Sequence, residues 1–218
     1  MKRVFKSILV FIIILLLCWY GVNSINYTRI EKRNSNVNDI LILVNKKNGL
    51  DKSYIPIGLT IPEIPFSDEV TNEEKQVAGI IKEPLEELIN EAKKDGIILK
   101  GNSGYRSYES QEIIYNDRVR DEGKRSADAY VAKPGFSEHQ TGLCIDITNE
   151  YKYFAEGTLE AEWLEKNCSR FGFIIRYPKN KKRITGIEYE PWHIRYVGKD
   201  VAKYIYVNGI TLEEYLKK

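Results

Sequence analysis

An unbroken apolar run near the N-terminus limits which part of this chain can build a folded domain. The run, ILVFIIILLLCWYGV, covers Ile8–Val22 and follows three basic residues among the first six. Its length of about fifteen residues fits the core of a signal peptide or a short membrane anchor. Nothing polar interrupts it, which disfavours a buried core helix. We therefore expect the globular fold to begin after this run.

The flanks of the run favour an uncleaved anchor over a cleaved signal peptide. Trp19 and Tyr20 suit the interfacial belt of a membrane, and no A-x-A cleavage pattern follows them. Because the basic residues come first, the positive-inside rule keeps the N-terminus in the cytoplasm. A cleaved signal stays the alternative. The predicted order at the cell membrane is a cytoplasmic segment (1–7), a transmembrane signal-anchor (8–23), a polar linker (24–38) and an extracellular domain (39–218).

The composition argues against a nucleic-acid partner and against a disulfide framework. The 218 residues include 33 basic and 31 acidic side chains, a net charge of +2, so no strongly basic surface is expected. Of the three cysteines, Cys18 lies in the apolar run, and no CxxC motif occurs. Cys144 and Cys168 either form one disulfide or, as we favour, stay as small buried thiols.

Strand-like and helix-like patterns are mixed after residue 38 without a βαβ repeat, which predicts an α+β fold. The predicted strands are apolar or alternating and cover 39–46, part of 97–106, 143–148, 173–178 and 192–197. The predicted helices have an apolar period or recognisable end signals and cover 71–96, 107–123, 159–171 and two pieces from 199 onward.

Prolines modify two of these expectations. Pro84 should kink or split the helix 71–96, because proline lacks the backbone N–H that an inner helical turn needs. Three prolines and two glycines between residues 47 and 70 predict an extended loop that lies on the domain. Four apolar side chains of this loop are expected to be buried: Ile55, Ile57, Leu59 and Ile61.

Both histidines of the chain lie near acidic residues. His139 stands in FSEHQTGLCIDI, seven residues before Asp146, and His193 stands in EYEPWHIRY. A catalytic zinc site uses three histidine or carboxylate ligands and leaves one position open. These three residues form such a set, with a turn at Gly142 between the first two. The spacing alone leaves open that each histidine only makes an ordinary hydrogen bond.

Metal-assisted hydrolysis also needs a base, and the chain has no HExxH motif to provide one. Glu138, Glu188 and Glu190 are the candidates. Glu138 is adjacent to His139, so on an extended segment it would point the opposite way. Glu190 lies three residues before His193 and can reach the open side of the ion without being a ligand. We therefore favour Glu190.

Several ordered motifs resemble the VanY type of zinc D-alanyl-D-alanine carboxypeptidase, in peptidase family M15. They are SGYRS at 103–107, Gln111, KPGFSEHQTGLCIDI at 133–147 and EPWHIRYVG at 190–198. The resemblance covers roughly residues 39–198. It implies a Hedgehog/DD-peptidase-like domain, with a small mixed or antiparallel sheet flanked by helices.

The same resemblance implies the roles of the site residues. One Zn²⁺ ion per chain would be held by His139, Asp146 and His193, with Glu190 as the catalytic base. Cys144 replaces a residue that is commonly alanine or another small residue in the family, and its thiol is an alternative ligand. Arg106 is expected to stabilise the charge that develops during the reaction. The implied substrate contacts are Arg106, Gln111, Ser137, Tyr105 and Trp192.

The function implied by the resemblance is a zinc-dependent, not serine-type, D,D-carboxypeptidase. It would remove the C-terminal D-alanine from peptidoglycan stem pentapeptides outside the cell. The alternatives are an L,D-carboxypeptidase acting on tetrapeptides and a non-catalytic, metal-containing wall-binding module. Removal of D-Ala-D-Ala ends also removes the target of glycopeptide antibiotics such as vancomycin, so a resistance context is a further expectation. The expected partners are stem peptides ending in D-alanine and the membrane.

Overall fold

The computed structural model describes residues 40–217, and its compact unit begins at Leu43. The predicted cytoplasmic segment, signal-anchor and linker lie outside the described residues. Within residues 40–217, no helix combines the length and the apolar character that a membrane crossing requires. The N-terminal membrane helix therefore stays a prediction.

A four-stranded sheet forms the centre of the compact unit. The strands of the chain are β1 (Leu59–Thr60), β2 (Val77–Ala78), β3 (Lys100–Ser103), β4 (Cys144–Thr148), β5 (Phe173–Ile175) and β6 (His193–Tyr196). The central sheet has the order β3-β4-β6-β5, and every neighbouring pair is antiparallel. Strands β1 and β2 form a separate antiparallel pair. The combination of helices with an antiparallel sheet confirms the predicted α+β class.

The predicted helices occur in the predicted order, and two short helices at residues 124–130 and 182–185 add to them. They are α1 (Gly79–Lys94), α2 (Tyr108–Glu122), α3 (Lys124–Tyr130), α4 (Leu159–Asn167), α5 (Lys182–Thr185), α6 (Lys199–Asn208) and α7 (Leu212–Leu216), with 3₁₀ turns at Glu138–Thr141 and Cys168–Phe171. Helix α2 has the predicted ends: the Ser107 side chain accepts a hydrogen bond from the Ser110 backbone N–H, and Gly123 follows the last residue.

Helix α1 begins later than predicted and continues through its proline. It starts at Gly79 rather than near residue 71, because Val77 and Ala78 pair with β1 instead. Pro84 does not split it. The missing N–H of Pro84 would have bonded the carbonyl of Ile80, a residue that is 45% exposed, so water can satisfy that carbonyl.

Two predictions for residues 40–70 are wrong. Residues 40–46 form no strand, because the Asn45 side-chain oxygen accepts hydrogen bonds from the Lys47 and Asn48 backbones and closes a turn. In the following loop, Ile57 is 90% exposed, Ile55 and Ile61 are also exposed, and Leu59 is only half-buried. The prolines Pro56 and Pro62 are buried in their place.

Strands β4 and β6 divide their side chains between two faces of the sheet. Ile145 and Ile147 of β4 are buried, and Ile145 lies opposite the buried Ile194 of β6. Each such side chain contributes roughly 1.5–3 kcal/mol to folding by leaving water. Because strand side chains alternate, Cys144 and Asp146 lie on the other face. Burial of the apolar side chains on one face therefore fixes the strands, and with them the side chains on the opposite face.

Candidate metal centre and catalytic site

The antiparallel register of β4 and β6 brings two of the predicted ligands side by side. Asp146 is the direct cross-strand partner of His193. Their side chains share one face of the sheet, and Asp146 Oδ1 lies 2.9 Å from His193 Nδ1. The pairing of β4 with β6 therefore brings together two residues that are 47 positions apart in the sequence.

The third predicted ligand, His139, comes from the 3₁₀ turn that precedes β4. Gly142 ends this turn in the left-handed conformation, as the spacing predicts. His139 Nδ1 lies 2.7 Å from the Gly104 carbonyl oxygen, so it carries the proton and donates it. The other ring nitrogen, Nε2, lies 3.6 Å from Asp146 Oδ2. The structure therefore brings all three predicted ligands together.

The geometry of these three side chains fits a bound cation. Asp146 Oδ1 is buried and has no hydrogen-bond partner in the described part of the chain, although His193 Nδ1 is 2.9 Å away. His193 Nε2 faces the Glu138 carboxylate at 3.1 Å, so a neutral ring that donates its proton there presents Nδ1 as a lone-pair donor to a cation. Zinc bonds of about 2.0–2.2 Å place ligand atoms roughly 3–3.5 Å apart. The site residues therefore fit a zinc ion.

The electrostatics keep the carboxylate ionised. Burial by itself would raise the pKa of Asp146, but the neighbouring His139 and His193 hold it below its ordinary value. An ionised carboxylate beside two imidazoles is a usual donor set for zinc.

Cys144 lies close to the same histidines. It is fully buried, and its sulfur lies within 4.8 Å of ligand nitrogens of both His139 and His193. The Asp146 oxygens Oδ1 and Oδ2 are 2.9 and 3.6 Å from those imidazoles, so Asp146 and Cys144 are both within reach as the third ligand. Cys144 and Cys168 are both free thiols, in agreement with the favoured expectation.

Of the three candidate bases, Glu190 lies beside the predicted ligands with its carboxylate at the cavity. Its Oε2 lies 3.9 Å from His193 Nδ1, and it lines the same cavity as the three ligands. Burial raises the pKa of the Glu190 carboxyl, which makes it a stronger base. Glu188 is instead exposed and pairs with Lys182.

Arg106 lines the cavity and is held by three neighbouring side chains. It donates to Gln111 Oε1 at 3.1 Å and to Ser103 Oγ at 2.9 Å, and it lies 3.5 Å from Glu74 Oε1. Its Nε is buried without a hydrogen-bond partner among residues 40–217. The guanidinium is therefore fixed at the wall of the cavity, where its positive charge can attract an anionic group.

The other predicted substrate contacts are placed differently from one another. Ser137, Trp192 and Gln111 line the cavity, which has a volume of about 600 Å³. The amide of Gln111 is already engaged, because it donates to the Ala132 carbonyl and accepts from Arg106. Tyr105 is buried and is not among the lining side chains. It precedes Arg106 in an extended segment, where neighbouring side chains point to opposite sides.

Sequence reasoning missed a group of buried charged and aromatic residues around His193. The Tyr177 ring lies 5.0 Å from the His193 ring and lines the cavity. Burial by itself would raise the pKa of Glu138, but Arg176 and Arg195 hold it well below its ordinary value. The signal was present in FIIRYP and WHIRYV, because an arginine inside an apolar strand requires a buried acid.

Gly104 provides a test of how His139 is held. A Cβ at this position would lie 2.4 Å from the Gln76 carbonyl oxygen and 2.9 Å from that of Glu74. Because the Gly104 carbonyl accepts the His139 N–H, we expect Gly104→Ala to shift the histidine and weaken metal binding. Overpacking of this kind destabilises a fold by about 1–3 kcal/mol. Metal titration and thermal unfolding of the variant measure both effects.

Gly157→Ala is the control for this variant. Gly157 has a φ of +86° and open space around its Cβ position, away from the cavity-lining residues. It should lower stability through backbone strain while metal affinity stays unchanged. Unchanged metal affinity in Gly104→Ala would contradict the role of this carbonyl.

An antiparallel sheet with two histidines and one carboxylate converging in a cavity defines a candidate metal centre of the metal-dependent hydrolase kind. Residues 74–199 match the VanY family, described as D-alanyl-D-alanine carboxypeptidase. The putative carboxypeptidase YodJ of Bacillus subtilis is 45% identical over 188 residues, which cover 84% of this chain and 69% of YodJ. A D-alanyl-D-alanine carboxypeptidase of Enterococcus faecalis is 38% identical, over 81% of this chain and 65% of that protein.

Solved structures agree with the sequence relatives. The LdcB LD-carboxypeptidase superposes with a TM-score of 0.79 at 45% identity, covering 84% of this chain and 88% of LdcB. The vancomycin-resistance D,D-pentapeptidase VanY, solved with Zn(II), has a TM-score of 0.69 at 38% identity, covering 82% of this chain and 99% of VanY. The VanYB structure with D-alanine-D-alanine has the same TM-score and identity. This chain belongs to the VanY family of M15 carboxypeptidases.

Proposed function

We propose that this protein is a zinc-dependent carboxypeptidase that removes the C-terminal D-alanine from peptidoglycan stem peptides. The observation that carries the proposal is the Asp146–His193 pair, in which two lone-pair atoms lie 2.9 Å apart beside His139, with Glu190 next to them. The zinc in a related VanY structure and the D-Ala-D-Ala in VanYB support the same assignment.

His139, Asp146 and His193 would hold the zinc. When bound, zinc supplies Lewis-acid chemistry: it polarises a carbonyl and makes water more acidic. Glu190 takes the proton of the attacking water and passes it to the leaving amine nitrogen. Arg106 lines the cavity, and its guanidinium stabilises negative charge on the substrate oxygen. Ser137 lines the same cavity and supplies a hydroxyl donor for the terminal carboxylate.

The length of the preferred stem peptide separates two versions of this activity. A D,D-carboxypeptidase acts on the pentapeptide, as the sequence motifs led us to expect. The greater likeness to the LdcB LD-carboxypeptidase, in both identity and TM-score, favours the tetrapeptide as the better substrate. Both reactions release one D-alanine and use the same side chains.

The test is a competition assay with purified muropeptides that carry pentapeptide or tetrapeptide stems. We expect loss of one alanine, abolished by a chelator and restored by zinc, and mass spectrometry of both stems gives their relative rates. Faster loss from the tetrapeptide supports the L,D activity, and faster loss from the pentapeptide supports the D,D activity. No product from zinc-loaded protein would favour a non-catalytic wall-binding module and overturn the proposal.

We also propose that residues 8–23 anchor the chain in the cell membrane with the domain outside. The apolar run, its basic N-terminal flank and the peptidoglycan substrate support this arrangement. Membrane fractionation and protease accessibility in intact cells test it. Cleavage of pentapeptide ends in vivo would also lower glycopeptide sensitivity, which the minimum inhibitory concentration of vancomycin measures.

A further inference from the structure

Four charged side chains are buried together behind the candidate metal centre. Arg176 and Arg195 are fully buried, and Glu138 and Glu213 are 3% and 5% exposed. Glu138 Oε1 accepts hydrogen bonds from Arg176 Nε at 2.8 Å and from Arg195 Nη1 at 2.6 Å. Arg176 also donates two hydrogen bonds to Glu213, at 2.9 and 2.7 Å. The four residues form a continuous network with balanced charge, hereafter the buried charge cluster.

This cluster is poorly explained by stability alone. Burying four charges removes their hydration, and apolar side chains of similar volume often stabilise a core equally well. Both arginines donate to the same oxygen of Glu138, Oε1, while the second oxygen is turned toward the metal centre. That oxygen, Oε2, lies 3.1 Å from His193 Nε2, so the cluster ends on a metal-ligand residue.

The contact determines which nitrogen of His193 faces the metal centre. An imidazole that donates one ring N–H to a carboxylate presents its other nitrogen as a ligand. The Glu138 carboxylate accepts the N–H of His193 Nε2, and Nδ1 on the other side of the ring therefore points toward Asp146. His139 has the opposite arrangement, because its Nδ1 donates to Gly104 and its Nε2 faces Asp146. The two histidines thus use different ring nitrogens, each selected by its own hydrogen-bond acceptor.

We propose that Glu138 is the positioning residue of His193, and that the buried charge cluster makes the C-terminal helix α7 a structural part of the metal centre. Glu138 selects Nδ1 of His193 as the metal-binding nitrogen and fixes the plane of the ring. Arg176 transmits the position of Glu213, the second residue of α7, to Glu138. This inference rests on the proposed zinc site and concerns the charged side chains buried behind it.

Helix α7 is held in place by further contacts at its start and along its length. Thr211 and Glu214 form a capping box at its start. Lys181 pairs with Glu214 at 3.0 Å, and Asn45 donates to Glu213 at 3.3 Å. The turn at Asn45, which replaces the predicted strand, thereby contributes to the same network.

The first test uses the wild-type full chain loaded with NMR-active cadmium and labelled with nitrogen isotope in its histidines. We expect metal-to-nitrogen coupling at Nδ1 of His193 and at Nε2 of His139. A slowly exchanging proton on His193 Nε2 should accompany it. Coupling at His193 Nε2 would overturn the proposal while leaving the metal site intact. A chain that binds no metal would overturn the proposed function as well.

The second test compares Glu138→Gln with Glu162→Gln, whose side chain lies on α4 in an exposed pair with Lys166. Loss of an outer-shell partner weakens metal binding by about 10- to 100-fold, and we expect this loss for Glu138→Gln only. The Kd comes from competition with a chromogenic chelator, and circular dichroism shows whether the variant is folded. Folded Glu138→Gln with wild-type zinc affinity and an unchanged His193 spectrum would overturn the proposal.

Glu213→Gln extends the test to the far end of the cluster. It keeps the side-chain volume and removes one charge that is three hydrogen bonds away from His193, through Arg176 and Glu138. We expect a smaller loss of zinc affinity in the same direction and a changed His193 nitrogen shift. An unchanged His193 signal in a folded variant would overturn the part of the proposal that concerns α7.

Discussion

The Glu190→Gln variant is expected to release terminal D-alanine about 10²- to 10⁴-fold more slowly than the wild type, the range that a positioned proton-transfer group contributes. Glutamine has nearly the same shape but cannot take up a proton. The fall should be in kcat, because Glu190 acts on the reacting water and is not a metal ligand in the proposed site. Muropeptide turnover followed by mass spectrometry measures it.

The control is Glu188→Gln, two residues earlier in the same loop. Its side chain is exposed and pairs with Lys182, so turnover should be unchanged. Metal analysis of both variants must show one zinc per chain for the comparison to hold. Normal turnover by zinc-loaded Glu190→Gln would show that another group takes the proton, and Glu138 would not be the substitute because its carboxylate is occupied by two arginines and His193.

The positions of the three predicted metal ligands follow in part from local geometry, because each lies in a short element. The alternation in CIDIT places Asp146 on one face of a strand, and Gly142 predicts the turn that brings His139 back beside it. The convergence with His193 depends on the register of β4 against β6, which sequence spacing does not contain. The resemblance to a known family supplied that step.

Glu138 shows where local reasoning failed. On an extended segment its side chain would point away from His139, but the segment is a 3₁₀ turn with about three residues per turn. Successive side chains then diverge by roughly 120°, and Glu138 reaches the far side of His193. The two arginines are visible in the sequence, but the sequence does not show which of the 31 acidic residues forms ion pairs with them.

The exposed isoleucines of the loop at 55–61 have a similar explanation. Apolar character predicts burial for any one of them, but the loop contacts the domain through Pro56 and Pro62. Strand β1 is only two residues long. Of the four apolar side chains in the alternating pattern, it therefore pairs only Leu59 with β2. Which side of an irregular loop faces the domain depends on tertiary contacts that periodicity does not report.

We expect Arg176→Met to lower the free energy of unfolding by about 3–5 kcal/mol, because removing one partner of a buried ion pair leaves the other charge buried and uncompensated. Arg176 donates to Glu138 and makes two hydrogen bonds to Glu213. A domain is stabilised by only about 5–15 kcal/mol in total. The variant should therefore unfold at much lower denaturant concentration, measured by circular dichroism on the metal-free chain.

Lys181→Met is the matched control, since Lys181 also pairs with α7 but is partly exposed. Exposed pairs contribute about 0–1 kcal/mol, so its unfolding midpoint should change little. The double variant Arg176→Met with Glu213→Leu separates the missing contact from the stranded charge. If an uncompensated carboxylate causes the loss, the double variant regains stability over Arg176→Met, because the Glu213 charge is removed as well. A single variant that loses less than about 1 kcal/mol would mean that water reaches Glu213 and that the buried charge cluster is less closed than its contacts indicate.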